Sequence, residues 1–85
     1  MTKDHIFAVV KKHLLRTLDG VSDSDVDPAK SMKDLGASSL DLVEIVSLSM
    51  RELKVKVPRS ELATLNNIGG LVDLLYRVSL EKSNV

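Results

Sequence analysis

The chain has 85 residues, twelve basic and twelve acidic side chains, and no cysteine. The length predicts one small domain over residues 1–85, with an ordered core at 4–80, that must bury about 60–65% of its unfolded surface. The cancelled charge argues against nucleic acid as partner, the missing cysteines rule out disulfides and thiolate metal sites, and no apolar run reaches the ~20 residues of a membrane span.

The first helix is predicted from Asp4 to Leu18. Ile6, Val9, Val10, Leu14 and Leu18 recur at helical spacing and form one apolar face. Lys11, Lys12 and Arg16 lie off that face and read as its wet side. Asp4 near the start and Arg16 near the end complement the helix dipole, and Gly20 is a stop signal. His13 borders the apolar face and reads as a packed boundary residue. His5 and His13 are too far apart for a metal pair at i, i+4.

Periodicity is lost from Asp19 to Ser38. A stretch of that length without regular structure is unusual inside a compact domain and marks a functional loop. Val21, Val26, Met32 and Leu35 are its expected anchors to the core, and Ser31 is expected to cap a short turn. Asp19, Asp23, Asp25 and Asp27 superficially resemble a calcium loop. The glycine and final glutamate of that motif are missing at the required offsets, so a solvated acidic loop is expected.

The second helix is predicted from Ser39 to Leu53. Leu42, Ile45, Val46, Ser49 and Leu53 form the core face. Leu40, Val43, Ser47 and Met50 form a second stripe on the side of Ser39. Such a stripe is either satellite core or an offer to a partner. In so short a chain burial on both sides is hard to arrange, which favours a partner. Val55-Lys56-Val57 alternates like a strand but is too short to pair alone, and Pro58 ends it. A short helix is expected over Ser60–Leu65, with Leu62 and Leu65 inward, and Asn66-Asn67 should turn and cap the last helix. That helix is predicted over Ile68–Val78, with Ile68, Leu71, Val72, Leu75 and Val78 on one face. Gly69-Gly70 weakens its first turn by about 1 kcal/mol per glycine, which suggests a close approach there. Residues 81–85 are expected to fray. The order of elements reads as an all-α four-helix bundle with one minor member.

The chemistry gathers at Leu35-Gly36-Ala37-Ser38-Ser39-Leu40-Asp41-Leu42-Val43-Glu44. A glycine turn leads into two serines, and an apolar helix starts behind them. A hydroxyl there sits among unpaired backbone N–H groups and the positive end of the dipole, a setting that favours an anion. The plainer reading is an N-cap worth about 1 kcal/mol. Asp41 is either a partner contact or a first-turn carboxylate closing a capping box with Ser38. Glu44 is either a partner contact or part of a solvated face. No histidine can be assigned to Ser39, so hydrolase chemistry is not expected.

The segment resembles the modification site of the acyl carrier proteins, usually Gly-x-Asp-Ser-Leu, with Ser39 as the matching serine and Ser38 in place of the usual Asp. Similarity continues through the long first loop, Val57-Pro58 and Asn67-Ile68 to Leu75, and covers nearly the whole chain. The resemblance implies the acyl carrier bundle and a covalent 4'-phosphopantetheine on Ser39, attached by a phosphopantetheinyl transferase that uses coenzyme A. It implies a non-catalytic protein that holds acyl groups as thioesters. Leu40, Asp41, Val43, Glu44 and Met50 would dock partner enzymes: the transferase, an acyltransferase, and a ketosynthase or hydroxymethylglutaryl-synthase-like enzyme. Fatty-acid members keep the second helix acidic to its end, whereas here Met50, Arg51, Lys54, Lys56 and Arg59 occupy that region. That mixed surface is similar to free-standing polyketide carriers. The segments Val57-Pro58-Arg59-Ser60-Glu61-Leu62-Ala63 and Asn67-Ile68-Gly69-Gly70-Leu71 are similar to donor carriers of β-branching cassettes. The expected setting is cytoplasmic and the expected state a monomer. A peptidyl or aminoacyl carrier, or an unmodified helical interaction module built on Leu40, Val43 and Met50, are the competing readings.

Overall fold

The computed structural model describes residues 2–62 and 67–83, except for the side chains of Arg59, Leu62, Lys82 and Ser83. Helix α1 spans Lys3–Thr17. Thr2 caps it, its hydroxyl accepting the His5 amide at 3.1 Å. Ile6, Val9, Val10 and Leu14 are buried along one face, as the spacing requires. His13 is packed as expected, and buried. Its Nε2 lies 3.0 Å from Glu52 Oε1, and Lys12 donates to the same oxygen at 2.6 Å. The carboxylate of Glu52 is what makes a histidine tolerable on the apolar side.

The long connection holds two short 3-10 turns, Asp23–Asp25 and Lys33–Leu35. Its acidic residues build those turns. Asp25 accepts the Ser22 amide at 3.0 Å and the Ser22 hydroxyl at 2.9 Å. Asp27 accepts the Ala29 amide at 2.8 Å. Ser31 and Asp34 bond each other's amides, both at 3.1 Å, so Ser31 does cap a turn. Val26 and Met32 are buried, and Val21 and Leu35 pack partly buried against the core. Ala37, which has no periodic pattern to mark it, is buried as well. Lys11 is not merely wet: its ammonium pairs with Asp23 at 2.6 Å.

Helix α2 spans Ser39–Leu53. Ile45, Val46, Ser49 and Leu53 are buried, with Leu42 partly so. The buried Ser49 hydroxyl donates to the Ile45 carbonyl at 2.8 Å, so no polar atom is stranded there. Lys54 closes the helix in the left-handed region at φ 59°. The Lys54 and Val55 amides turn back to the carbonyls of Arg51 and Met50 at 3.3 and 3.0 Å. Val55 and Val57 are buried, yet no strand occurs among the described residues. A single helical turn, α3, covers Arg59–Leu62. The inward Leu62 and Leu65 expected from the sequence, and the Asn66 turn, lie outside the described residues or side chains.

Helix α4 spans Ile68–Ser83, past the expected end at Val78. Ile68, Leu71, Val72, Leu74 and Leu75 are buried. Helix α1 packs against both α2 and α4. The first turn of α4 is fastened to the long connection: the Ile68 amide donates to the Lys30 carbonyl at 2.9 Å, and the Gly69 amide to that of Pro28 at 2.8 Å. Asn67 caps the helix, its Oδ1 accepting the Gly70 amide at 2.7 Å. A Cβ on Gly69 would stand 3.1 Å from the Pro28 carbonyl oxygen. That is the close approach the paired glycines suggested.

The described chain is thus all-helical, with three long helices and one isolated turn. No described helix is long and apolar enough to cross a membrane.

Candidate functional site

The two serines at the head of α2 have separate tasks. Ser38, with extended backbone, is the N-cap: its hydroxyl accepts the Asp41 amide at 3.2 Å, and its own amide donates to Asp41 Oδ2 at 3.0 Å. This is the capping box that the Ser-x-x-Asp spacing allowed. Ser39 is the first helical residue, exposed, and its hydroxyl makes no hydrogen bond among the described residues. Gly36, at φ 91°, supplies the left-handed turn that brings the chain out of the 3-10 turn and into the cap.

Beside Ser39 lies a cavity of about 240 Å³. Met32 and Ala37 of the connection, Leu42, Val43 and Val46 of α2, and Leu71 of α4 form its apolar walls. Ser38, Ser39, Lys33 and Asn67 stand among its lining residues. The fastening of α4 to Pro28 and Lys30 therefore also closes one wall of this cavity. Lys33 comes from the connection, and Asn67 and Leu71 from the cap and first turns of α4. No spacing rule joins them to Ser39, and sequence reading missed them as neighbours of the site.

The second stripe of α2 divides. Leu40 is 82% and Val43 52% exposed, and Ser47 is exposed. Met50 instead packs partly buried against the core. Glu44 is exposed. Asp41 is half-buried, its carboxylate committed to the cap.

An exposed hydroxyl at a helix N-terminus, without a hydrogen bond among the described residues and next to an apolar cavity and two bare aliphatic side chains, suits a flexible phosphate-linked arm with apolar cargo. Among the described residues no group of three or more His, Asp and Glu side chains is placed to hold a metal.

Comparison with known proteins agrees. Residues 12–75 match the family model described as the phosphopantetheine attachment site. The chain belongs to this family, the acyl carrier proteins, which carry covalent 4'-phosphopantetheine and are carriers, not catalysts. It is 34% identical over 76 residues to the polyketide biosynthesis acyl-carrier-protein AcpK of Bacillus subtilis, covering 89% of this chain and 93% of that one. It is 37% identical over 77 residues to the acyl carrier protein of Thermotoga maritima, covering 89% and 94%. Among solved structures, it matches a chain from the crystal structure of the curacin biosynthetic pathway HMG synthase in complex with acetyl donor-ACP. The TM-score is 0.77 at 36% identity, with 87% of this chain and 95% of that chain covered.

Proposed function

We propose that Ser39 carries the phosphopantetheine arm, and that the chain presents acyl thioesters to the enzymes of a polyketide pathway. The observation that carries this reading is the division of labour at the head of α2: Ser38 and Asp41 satisfy the helix start, which leaves the Ser39 hydroxyl exposed and without a hydrogen bond among the described residues. The amides of the first turn favour the phosphodiester that would form there. The thiol at the end of the arm holds the acyl group as a thioester when the arm is bound.

The narrower reading is an acetyl donor to a hydroxymethylglutaryl-synthase-like enzyme in β-branching. It is supported by the 36% identity to a chain of the curacin HMG synthase–carrier complex and by the mixed charges toward the end of α2. Leu40, Val43 and Glu44 form the exposed docking surface, bordered by Asp41 and Met50. A phosphopantetheinyl transferase loads the arm, an acyltransferase charges it, and a ketosynthase or the synthase-like enzyme receives the cargo. The protein works as a cytoplasmic monomer of one domain, and α3 is the minor member of a four-helix bundle.

Incubation with a phosphopantetheinyl transferase and coenzyme A, followed by intact mass, tests the assignment. The wild-type chain and Ser38→Ala gain one phosphopantetheine, and Ser39→Ala gains none. Loading of Ser39→Ala, or no loading of the wild type by several transferases, contradicts it.

A further inference from the structure

The exposed side of α2 holds two charges that the fold does not use. Glu44 and Arg51 are exposed, and neither enters an ion pair among the described residues. Elsewhere ion pairs fasten α1 to the connection, to α2 and to α4. The helix itself offers them nothing. At three and four residues' distance Glu44 meets Leu40, Asp41, Ser47 and Leu48, and Arg51 meets Ser47, Leu48, Lys54 and Val55. Seven residues apart, the two lie on one face within about 20° and about 10.5 Å from each other along the axis. Leu40 occupies the Ser39 end of the same face, and Val43 lies beside it, about 100° round the helix from Glu44. Read away from Ser39, this face runs apolar, anionic, cationic.

We propose that Arg51 is a specificity-determining contact. Together with Glu44 it selects a partner enzyme whose docking face offers an apolar socket, a cationic side chain opposite Glu44, and an anionic side chain about 10 Å further on opposite Arg51. The inference rests on Ser39 bearing the arm, because that fixes which end of the stripe meets the partner's catalytic entrance. A uniformly cationic face is attracted at Glu44 and repelled at Arg51, so such enzymes are rejected. The order of signs also allows only one orientation along the helix. Exposed charges act mainly on encounter and orientation, so the effect falls on KM and weakens with salt.

The experiment is acetyl transfer from the acetyl-loaded chain to the HMG synthase of the curacin pathway. Intact mass first confirms the arm on every variant, so a failure of the Ser39 assignment is seen before docking is measured. Arg51→Glu is compared with Glu44→Arg combined with Arg51→Glu, which keeps the net charge, and with Arg16→Glu, an equal charge change on the exposed side of α1. Arg51→Glu raises KM about tenfold at low salt with kcat and the unfolding midpoint unchanged, and the double variant is no better. Arg16→Glu stays within about twofold of wild type, because like charge changes off the contact act only through weak long-range fields. The wild-type KM rises with salt, while that of Arg51→Glu does not. Arg51→Glu behaving like Arg16→Glu, or the double variant matching wild type, overturns the proposal. So does a wild-type chain that carries the arm yet transfers no acetyl to this enzyme.

Discussion

Ser38 and Ser39 are adjacent and both exposed, yet one hydroxyl is bound into the backbone and the other is not. The difference is one of register. The cap residue keeps extended φ/ψ, so its side chain folds over the Asp41 amide, whereas the next residue is already helical and points outward. Ser38→Ala removes the cap and costs about 1 kcal/mol. The thermal midpoint then falls by about 4–8 °C, while Ser39→Ala leaves it near wild type. A pair of thermal unfolding curves checks this. A second residue-scale test concerns Glu52. Hydrogen bonding from Lys12 chiefly, then from His13, holds its carboxyl below the ordinary value of 4.5 against the opposing effect of desolvation. A lowered folded value means that this stabilisation is present above about pH 4.5 and is lost as pH falls through the folded value. Hydrogen bonds from Ser22, backbone amide first, lower Asp25 in the same sense. Midpoints measured from pH 6 to 3 fall for the wild type, and Glu52→Gln reduces that fall. An unchanged slope in Glu52→Gln contradicts the assignment.

The helices follow from the apolar periods where those periods are clean. Ile6, Val9, Val10 and Leu14 in α1, and Ile45, Val46, Ser49 and Leu53 in α2, were legible because each set repeats at 3.6 residues and is buried. The limits of α4 were less so. Its pattern fades after Val78, but Ser79 continues it, buried with its hydroxyl donating to the Tyr76 carbonyl at 2.7 Å. Met50 could be assigned to either stripe by angle alone. Where it turns depends on its neighbours in space, which a single helix does not encode. The weakness that Gly69 brings to α4 has a reason, and the Pro28 carbonyl is that reason. Alanine in place of a helical glycine ordinarily stabilises by about 1 kcal/mol. At Gly69 the added methyl presses on a backbone oxygen already bonded to the same residue's amide. Gly69→Ala therefore lowers the midpoint and speeds hydrogen exchange at the Ile68 and Gly69 amides. A gain in stability with slow exchange retained shows that the connection is not fastened there.

Across the molecule, the aliphatic core and the cavity beside Ser39 share several side chains. Val46 and Leu71 belong both to the core and to the wall of the cavity beside Ser39. Ile45, fully buried on the next position of α2, belongs to the core alone, and Ile45→Ala costs about 2–5 kcal/mol. Chemical denaturation measures that cost directly. Val43→Asp, on the exposed stripe, leaves stability within about 0.5 kcal/mol but weakens transfer to a partner enzyme. Equal loss of stability in both variants contradicts the separation of core from exposed stripe. The sequence made the serine legible, because glycine turn, cap and apolar helix are consecutive. The cavity was not legible, since its walls meet only when the connection is fastened to α4. Whether Ser39 alone bears the arm is read by peptide sequencing with tandem mass spectrometry on protein matured in its own host. Phosphopantetheine on Ser39 with Ser38 bare is the expected result. An arm on any other residue, or mature protein that never carries one, contradicts it.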